Sequence, residues 1–82
     1  MKKYMIGLLV TNKYGVLTRI ASLFARRGYN IDTLTVGETV NPQVSRMTIM
    51  ITGNDHDRDQ MIKQLRKLHD VHFVKEMVAE KS

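Results

Sequence analysis

Apolar residues recur at two spacings along this chain, and the spacings alternate. Over residues 3–10, Tyr4, Ile6, Leu8 and Val10 alternate with Met5, Gly7 and Leu9, so both faces are apolar. A period of two predicts a strand, and two apolar faces predict one well inside a sheet. Gly7 marks a place where another backbone can come close. Residues 16–27 change to helical spacing. Val16, Leu17, Ile20, Ala21, Leu23 and Phe24 form one stripe, with Arg19, Ser22, Arg26 and Arg27 mostly off it. Gly28 fits the stop position. Residues 30–39 predict a second strand of imperfect phase: Ile31 belongs to one face, Leu34 and Val36 to the other. A twist, a bulge or contact with a second chain would account for the switch.

Val40-Asn41-Pro42-Gln43-Val44 reads as a connecting loop. Residues 45–52 form the clearest strand, with Met47, Ile49 and Ile51 on one face and Arg46, Thr48, Met50 and Thr52 on the other. A second helix is predicted over 56–68. Asn54 or Asp55 caps it, Asp57 and Asp59 favour its first turn, and Met61, Ile62, Leu65 and Leu68 form its stripe. Residues 71–78 predict a last strand, with Val71, Phe73 and Met77 on one face. The resulting order, β-α-β-β-α-β, predicts an α+β, ferredoxin-like domain: a four-stranded antiparallel sheet with two helices on one face. Residues 80–82 read as a C-terminal tail.

Composition narrows the function. The chain has 82 residues and is expected to form one domain. A domain of that size buries on the order of 60% of its surface, so a partner or self-association is expected to help it. It has no Cys, which excludes disulfides and Cys-based metal or redox sites. The apolar run Met5–Val10 is too short for a membrane span, and a cytoplasmic protein is expected. The net charge is +5 with a pI of about 9.8. The basic groups, Arg26-Arg27 and Lys63-Arg66-Lys67, fall in the later turns of predicted helices, where cations suit the dipole.

RNA-binding domains of this topology stack bases on aromatics of the central strands. The exposed face of the third strand offers Arg46, Thr48, Met50 and Thr52 instead, so no nucleic-acid partner is expected. His56, His69 and His72 lack metal-ligand spacing. The carboxylates Asp55, Asp57 and Asp59 are accounted for by the helix start. No Ser or Thr has an evident His partner, and no catalytic residue is assigned. The Met residues read as gap fillers in the core and on the sheet.

One stretch points to a ligand. Thr11-Asn12-Lys13-Tyr14-Gly15-Val16-Leu17 joins the first strand to the first helix. A Gly there permits an unusual backbone conformation. The helix start supplies free N–H groups and the positive end of a dipole, which together suit a carboxylate or phosphate.

The run Asn12 to Gly15-Val16-Leu17, then Leu23-Phe24-Ala25-Arg26-Arg27-Gly28-Tyr29-Asn30-Ile31, then Leu34-Thr35-Val36 and Ser45-Arg46-Met47-Thr48-Ile49 resembles an ACT domain. More closely, it resembles the N-terminal ACT domain of the small, regulatory subunit of acetohydroxy acid synthase (acetolactate synthase). The resemblance covers nearly the whole chain and places the ACT domain at residues 1–79. It implies a regulatory module without chemistry or a cofactor of its own. Two copies would form a homodimer with one eight-stranded sheet and hold an amino acid, usually valine, at their interface. Asn12, Gly15, Val16 and Leu17 of one copy would hold the effector backbone, with Asn30 and Ile31 of the other completing the pocket. The implied protein partner is the catalytic large subunit, a thiamine-diphosphate enzyme of branched-chain amino acid synthesis. The better-known small subunits carry a second domain after the ACT domain, and these 82 residues hold only the first. The alternative is an ACT-like interaction module that activates its partner enzyme and binds no amino acid.

Overall fold

The computed structural model describes residues 2–77, which form β1 (Lys2–Thr11), α1 (Tyr14–Arg27), β2 (Asn30–Glu38), β3 (Val44–Gly53), α2 (Asp55–Arg66) and β4 (Val71–Met77). This is the expected βαββαβ order. Residue 78 of the predicted last strand and the predicted tail lie outside the described residues. The strand order is β2-β3-β1-β4, and every pairing is antiparallel. β1 is therefore interior, as its two apolar faces predicted.

The core lies between the helices and one face of the sheet. Val16, Ile20 and Phe24 of α1 and Met61 and Leu65 of α2 share one buried cluster with Tyr4, Ile6, Leu8, Val10, Met47, Ile49 and Ile51. Each such side chain contributes about 1.5–3 kcal/mol when removed from water. The predicted α1 stripe is wider than the buried one: Leu17 and Leu23 are half-buried and Ala21 is exposed. The helix ends follow local chemistry. Gly28 adopts the left-handed conformation with φ 74° and closes α1. At α2, Asn54 Oδ1 accepts from the Asp57 amide at 2.9 Å and Asp57 Oδ2 accepts from the Asn54 amide at 3.1 Å. That reciprocal pair satisfies two otherwise orphaned donors.

Two strands depart from simple alternation. In β2 the register shifts between Ile31 and Thr33, leaving Asp32 as an extra residue. Of the three expected causes of the phase switch, the structure shows a bulge: Ile31, Leu34 and Val36 pair with Ile51, Ile49 and Met47, so all three share the helix-facing side. Asp32 accepts from the Thr52 hydroxyl at 2.6 Å and lies 3.6 Å from Lys3 Nζ. In β4 a second shift pairs Val71 with Val10 and Phe73 with Leu9, with His72 between them. The expectation of one face for Val71, Phe73 and Met77 is therefore corrected. Val71 packs toward the core with the buried Val74, while Phe73 and Met77 lie on the opposite, exposed face.

A polar cluster closes the end of the sheet beside α2. The Tyr4 hydroxyl donates to the Asp55 carboxylate, and the Arg58 guanidinium sits 5.2 Å from the centre of the Tyr4 ring. Arg58 also reaches Glu76 at 3.3 Å. The hydrogen bond to Asp55, followed by burial, raises the Tyr4 phenol above its ordinary 10.0. The same bond, followed by the Lys2 charge, holds Asp55 below its ordinary 3.8. A raised phenol contributes stability that is full below 10.0 and lost as pH climbs through the folded value. A depressed carboxyl contributes stability present above 3.8 and lost as pH falls through the folded value. Tyr4→Phe should therefore flatten both limbs of the profile of melting temperature against pH. A variant profile with wild-type curvature at both ends would refute this assignment.

Candidate functional site

β1 delivers the chain to a turn at one end of the sheet. There the Asn12 amide donates to the Gln43 carbonyl at 2.8 Å, and Asn12 Nδ2 donates to the Pro42 carbonyl at 3.0 Å. Both contacts tie the β1–α1 turn to the β2–β3 hairpin. With one N–H of its side-chain amide committed, Asn12 keeps the second N–H and the side-chain carbonyl oxygen to offer a ligand.

The helix starts two residues earlier than predicted. Lys13 is the cap residue in extended conformation, and no side chain caps the helix. The Lys13 carbonyl accepts from the Val16 amide at 3.0 Å and the Leu17 amide at 3.3 Å. Two of the amides predicted to grip a carboxylate are thus already used. The N–H groups of Tyr14 and Gly15, the first two residues of the helix, have no acceptor among the described residues. Tyr14 was missed by sequence reasoning because the helix was counted from Val16. The phase of Tyr14 with Leu17 and Ala21 carried that information.

Neither backbone conformation nor a close neighbour calls for Gly at position 15. Gly28 is the glycine with positive φ among the described residues, and Gly15 is ordinary helix. A Cβ at Gly15 would meet nothing within 4 Å. The surface above the free amides is therefore open, and a side chain there would occupy it. Val16 points inward and is buried, while Leu17 is half-buried against the core. No acidic residue lies in the first turn of α1, so the positive end of the dipole is not neutralised locally.

Beside this end lies a hollow of about 200 Å³ lined by Asn12, Glu38, Thr39, Val40, Pro42 and Val44. Its wall is held by Thr39, whose Oγ1 lies 2.9 Å from the carbonyls of Asn41 and Val44. Asn41 Oδ1 in turn accepts from the Gln43 amide at 2.9 Å. From the sequence, Glu38 and Thr39 read as the end of a strand and residues 40–44 as a connecting loop, with no site assigned to either.

Asn30 and Ile31 are elsewhere. Asn30 pairs with Thr52 at the start of β2, whereas Glu38 pairs with Ser45 at its end. A nine-residue strand spans roughly 26 Å, so a single copy does not bring Asn30 and Ile31 to Asn12 and Gly15. β2 is also an outer strand with one side unpaired. On that strand Leu34 is 37% and Val36 48% exposed, although both face the helix side. Among the described residues, no helix is long and apolar enough to cross a membrane.

Comparison with known proteins agrees with this architecture. The sequence profile of the AHAS small subunit-like ACT domain matches residues 6–73. The chain is 52% identical over 75 residues to a probable acetolactate synthase small subunit of Archaeoglobus fulgidus, covering 92% of this chain and 47% of that protein. It is 46% identical over 72 residues to the acetolactate synthase isozyme 3 small subunit of Escherichia coli K12, covering 88% and 44%. The crystal structure of the acetolactate synthase small subunit from Thermotoga maritima superposes with a TM-score of 0.86 at 43% identity, over 93% of this chain and 47% of that one. The chain thus spans under half the length of these relatives. An ACT domain of a GTP pyrophosphokinase from Chlorobium tepidum shares the fold at a TM-score of 0.80 and 18% identity. By the profile match across most of its length, and by identities near one half, the chain belongs to the AHAS small subunit-like ACT domain family.

Proposed function

We propose that this domain is the effector-sensing module of an acetolactate synthase small subunit, and that it carries no catalysis itself. Two copies join through the unpaired edges of β2 into an eight-stranded sheet. Valine, or another branched-chain amino acid, binds at the junction and alters the action of the thiamine-diphosphate-dependent catalytic subunit. The observation that carries this reading is the open, uncapped start of α1 lying beside a free sheet edge.

Pairing two β2 strands antiparallel about a two-fold axis sets the start of one against the end of the other. Asn30 and Ile31 of the partner subunit then approach Glu38, and with it the hollow beside Asn12. The effector carboxylate takes the Tyr14 and Gly15 amides. The Asn12 side-chain carbonyl and the Glu38 carboxylate suit its ammonium group. Leu17 and the partner subunit's Ile31 wall the aliphatic side chain. Selection among branched side chains rests on this wall, where one methylene is worth about 1–3 kcal/mol. Any change in the catalytic subunit is limited by the effector's difference in affinity for two dimer arrangements.

Thermal denaturation with and without valine tests the reading. At about 100 times its dissociation constant the effector should add roughly 2.7 kcal/mol. Gly15→Asp should abolish that gain, because it puts a carboxylate in the open space above the amides. A full valine response in Gly15→Asp would place the effector elsewhere. The second reading is an activating module without an effector, and the occupied Val16 and Leu17 amides favour it. Calorimetry separates the two: that reading requires no heat with any branched-chain amino acid, together with intact activation of the catalytic subunit.

A further inference from the structure

No described element covers the sheet face opposite the helices. Cross-strand pairing builds that face in rows: Met5 beside Met50 and Met77, Gly7 beside Thr48 and Lys75, Leu9 beside Arg46 and Phe73. Phe73 is 53% and Met77 41% exposed. A hollow of about 240 Å³ lies over Gly7, with Leu9, Phe73, Met77, Arg46 and Lys75 in its lining. Glycine shapes it. A Cβ at position 7 would stand 2.8 Å from the Met77 sulfur, so its absence lets Met77 lie across the central strand. The lining contains two cations and no carboxylate. Neither Arg46 nor Lys75 has an ion-pair partner among the described residues, a state they share with Lys13, Arg26, Arg27, Lys63, Arg66 and Lys67.

We infer that this open sheet face is the surface that docks on the catalytic subunit, and that it meets an apolar patch there rimmed by carboxylates; the inference rests on the small-subunit reading above. An aromatic, several methionines and an arginine around an apolar centre are the composition of an interface core. The unpaired cations set the charge of what can cover them. A second copy is a poor occupant, since a two-fold contact through this face would gather Arg46 and Lys75 of both copies into one desolvated region. Nucleic acid is also disfavoured. The central strands present Met5, Gly7, Leu9, Thr48 and Met50, which offer no ring for a base to stack on. Docking here leaves the β2 edge and the start of α1 free. In the two-fold dimer both open faces lie on one side of a continuous sheet. A change in the angle between the copies then changes the shape presented to the catalytic subunit, which links effector to enzyme without a shared residue.

The test measures binding of the full chain to the purified catalytic subunit of acetolactate synthase from the same organism, at low and at high salt. Wild-type affinity should fall as salt rises. Phe73→Ala should weaken binding about tenfold or more, and the double reversal Arg46→Glu with Lys75→Glu about a hundredfold. Melting temperature and valine calorimetry of the variants should match wild type, since these side chains are exposed and remote from α1. Wild-type affinity in both variants overturns the docking face and leaves the small-subunit reading standing. Absence of binding by the wild-type chain overturns both. A change in the sedimentation of the free protein on charge reversal would assign the face to self-association. Salt-dependent binding of single-stranded RNA, lost on the same reversal, would assign it to nucleic acid; either result overturns the inference.

Discussion

Truncating Phe24 to alanine should cost about 3–5 kcal/mol, as is typical of a fully buried aromatic whose cavity cannot collapse. Phe24 is 0% exposed and lies at the centre of the α1–sheet contact. It also meets Tyr29 edge-on, with ring centres 6.1 Å apart and planes at 71°, a geometry worth about 0.5–1.5 kcal/mol beyond area alone. Domains have only about 5–15 kcal/mol in total, and small ones sit low in that range. Phe24→Ala should therefore be largely unfolded or strongly destabilised at ordinary temperature. Urea denaturation checks this through the midpoint, with m preserved if two-state behaviour holds. A loss below about 1 kcal/mol would mean that neighbouring side chains refill the site.

The second large effect concerns the edge of the sheet. Leu34 lies midway along β2, so two-fold pairing of β2 strands brings it near its own copy. Leu34→Glu would set two carboxylates against each other in a region that must lose water, and like charges facing one another in an interface cost several kcal/mol. The variant should sediment as a monomer at concentrations where the wild type is a dimer. Its fold should survive, because Leu34 is one of the exposed large apolar residues and not part of the buried cluster. Valine binding should fall with the dimer, since Asn30 and Ile31 reach the Asn12 hollow only from a partner. A monomeric Leu34→Glu that binds valine with wild-type affinity would sink the shared-pocket account. A dimeric one would show that the copies join elsewhere.

Much of the site was legible in the residues, but not its wiring. Asn12 and Gly15 were found because a strand pattern stops and a helix pattern begins around them. The hydrogen bonding of the helix start was not legible. Whether Val16 and Leu17 keep their amides free depends on where Lys13 places its carbonyl, which no spacing rule reports. The hairpin wall at Glu38 and Thr39 was missed for a related reason. Those residues read only as the end of a strand until Asn12 is tied to Pro42 and Gln43, thirty or so positions away in the chain. Asn30 and Ile31 were assigned to the second copy through resemblance. The separation of the two ends of β2 is the physical reason they need one.

By itself, the sequence determined whatever depends on near neighbours. The apolar period chose strand or helix, two apolar faces put β1 inside the sheet, Gly28 stopped α1, and Asn54 with Asp57 started α2. The tertiary structure decided parity and access. One extra residue at Asp32 and one at His72 reversed which side chains face the core, turning Ile31 to join Leu34 and separating Val71 from Phe73. The residues of β2 allowed a bulge among other causes, but only the pairing across the ladder fixes where the extra residue sits, and a single inserted residue inverts every face beyond it.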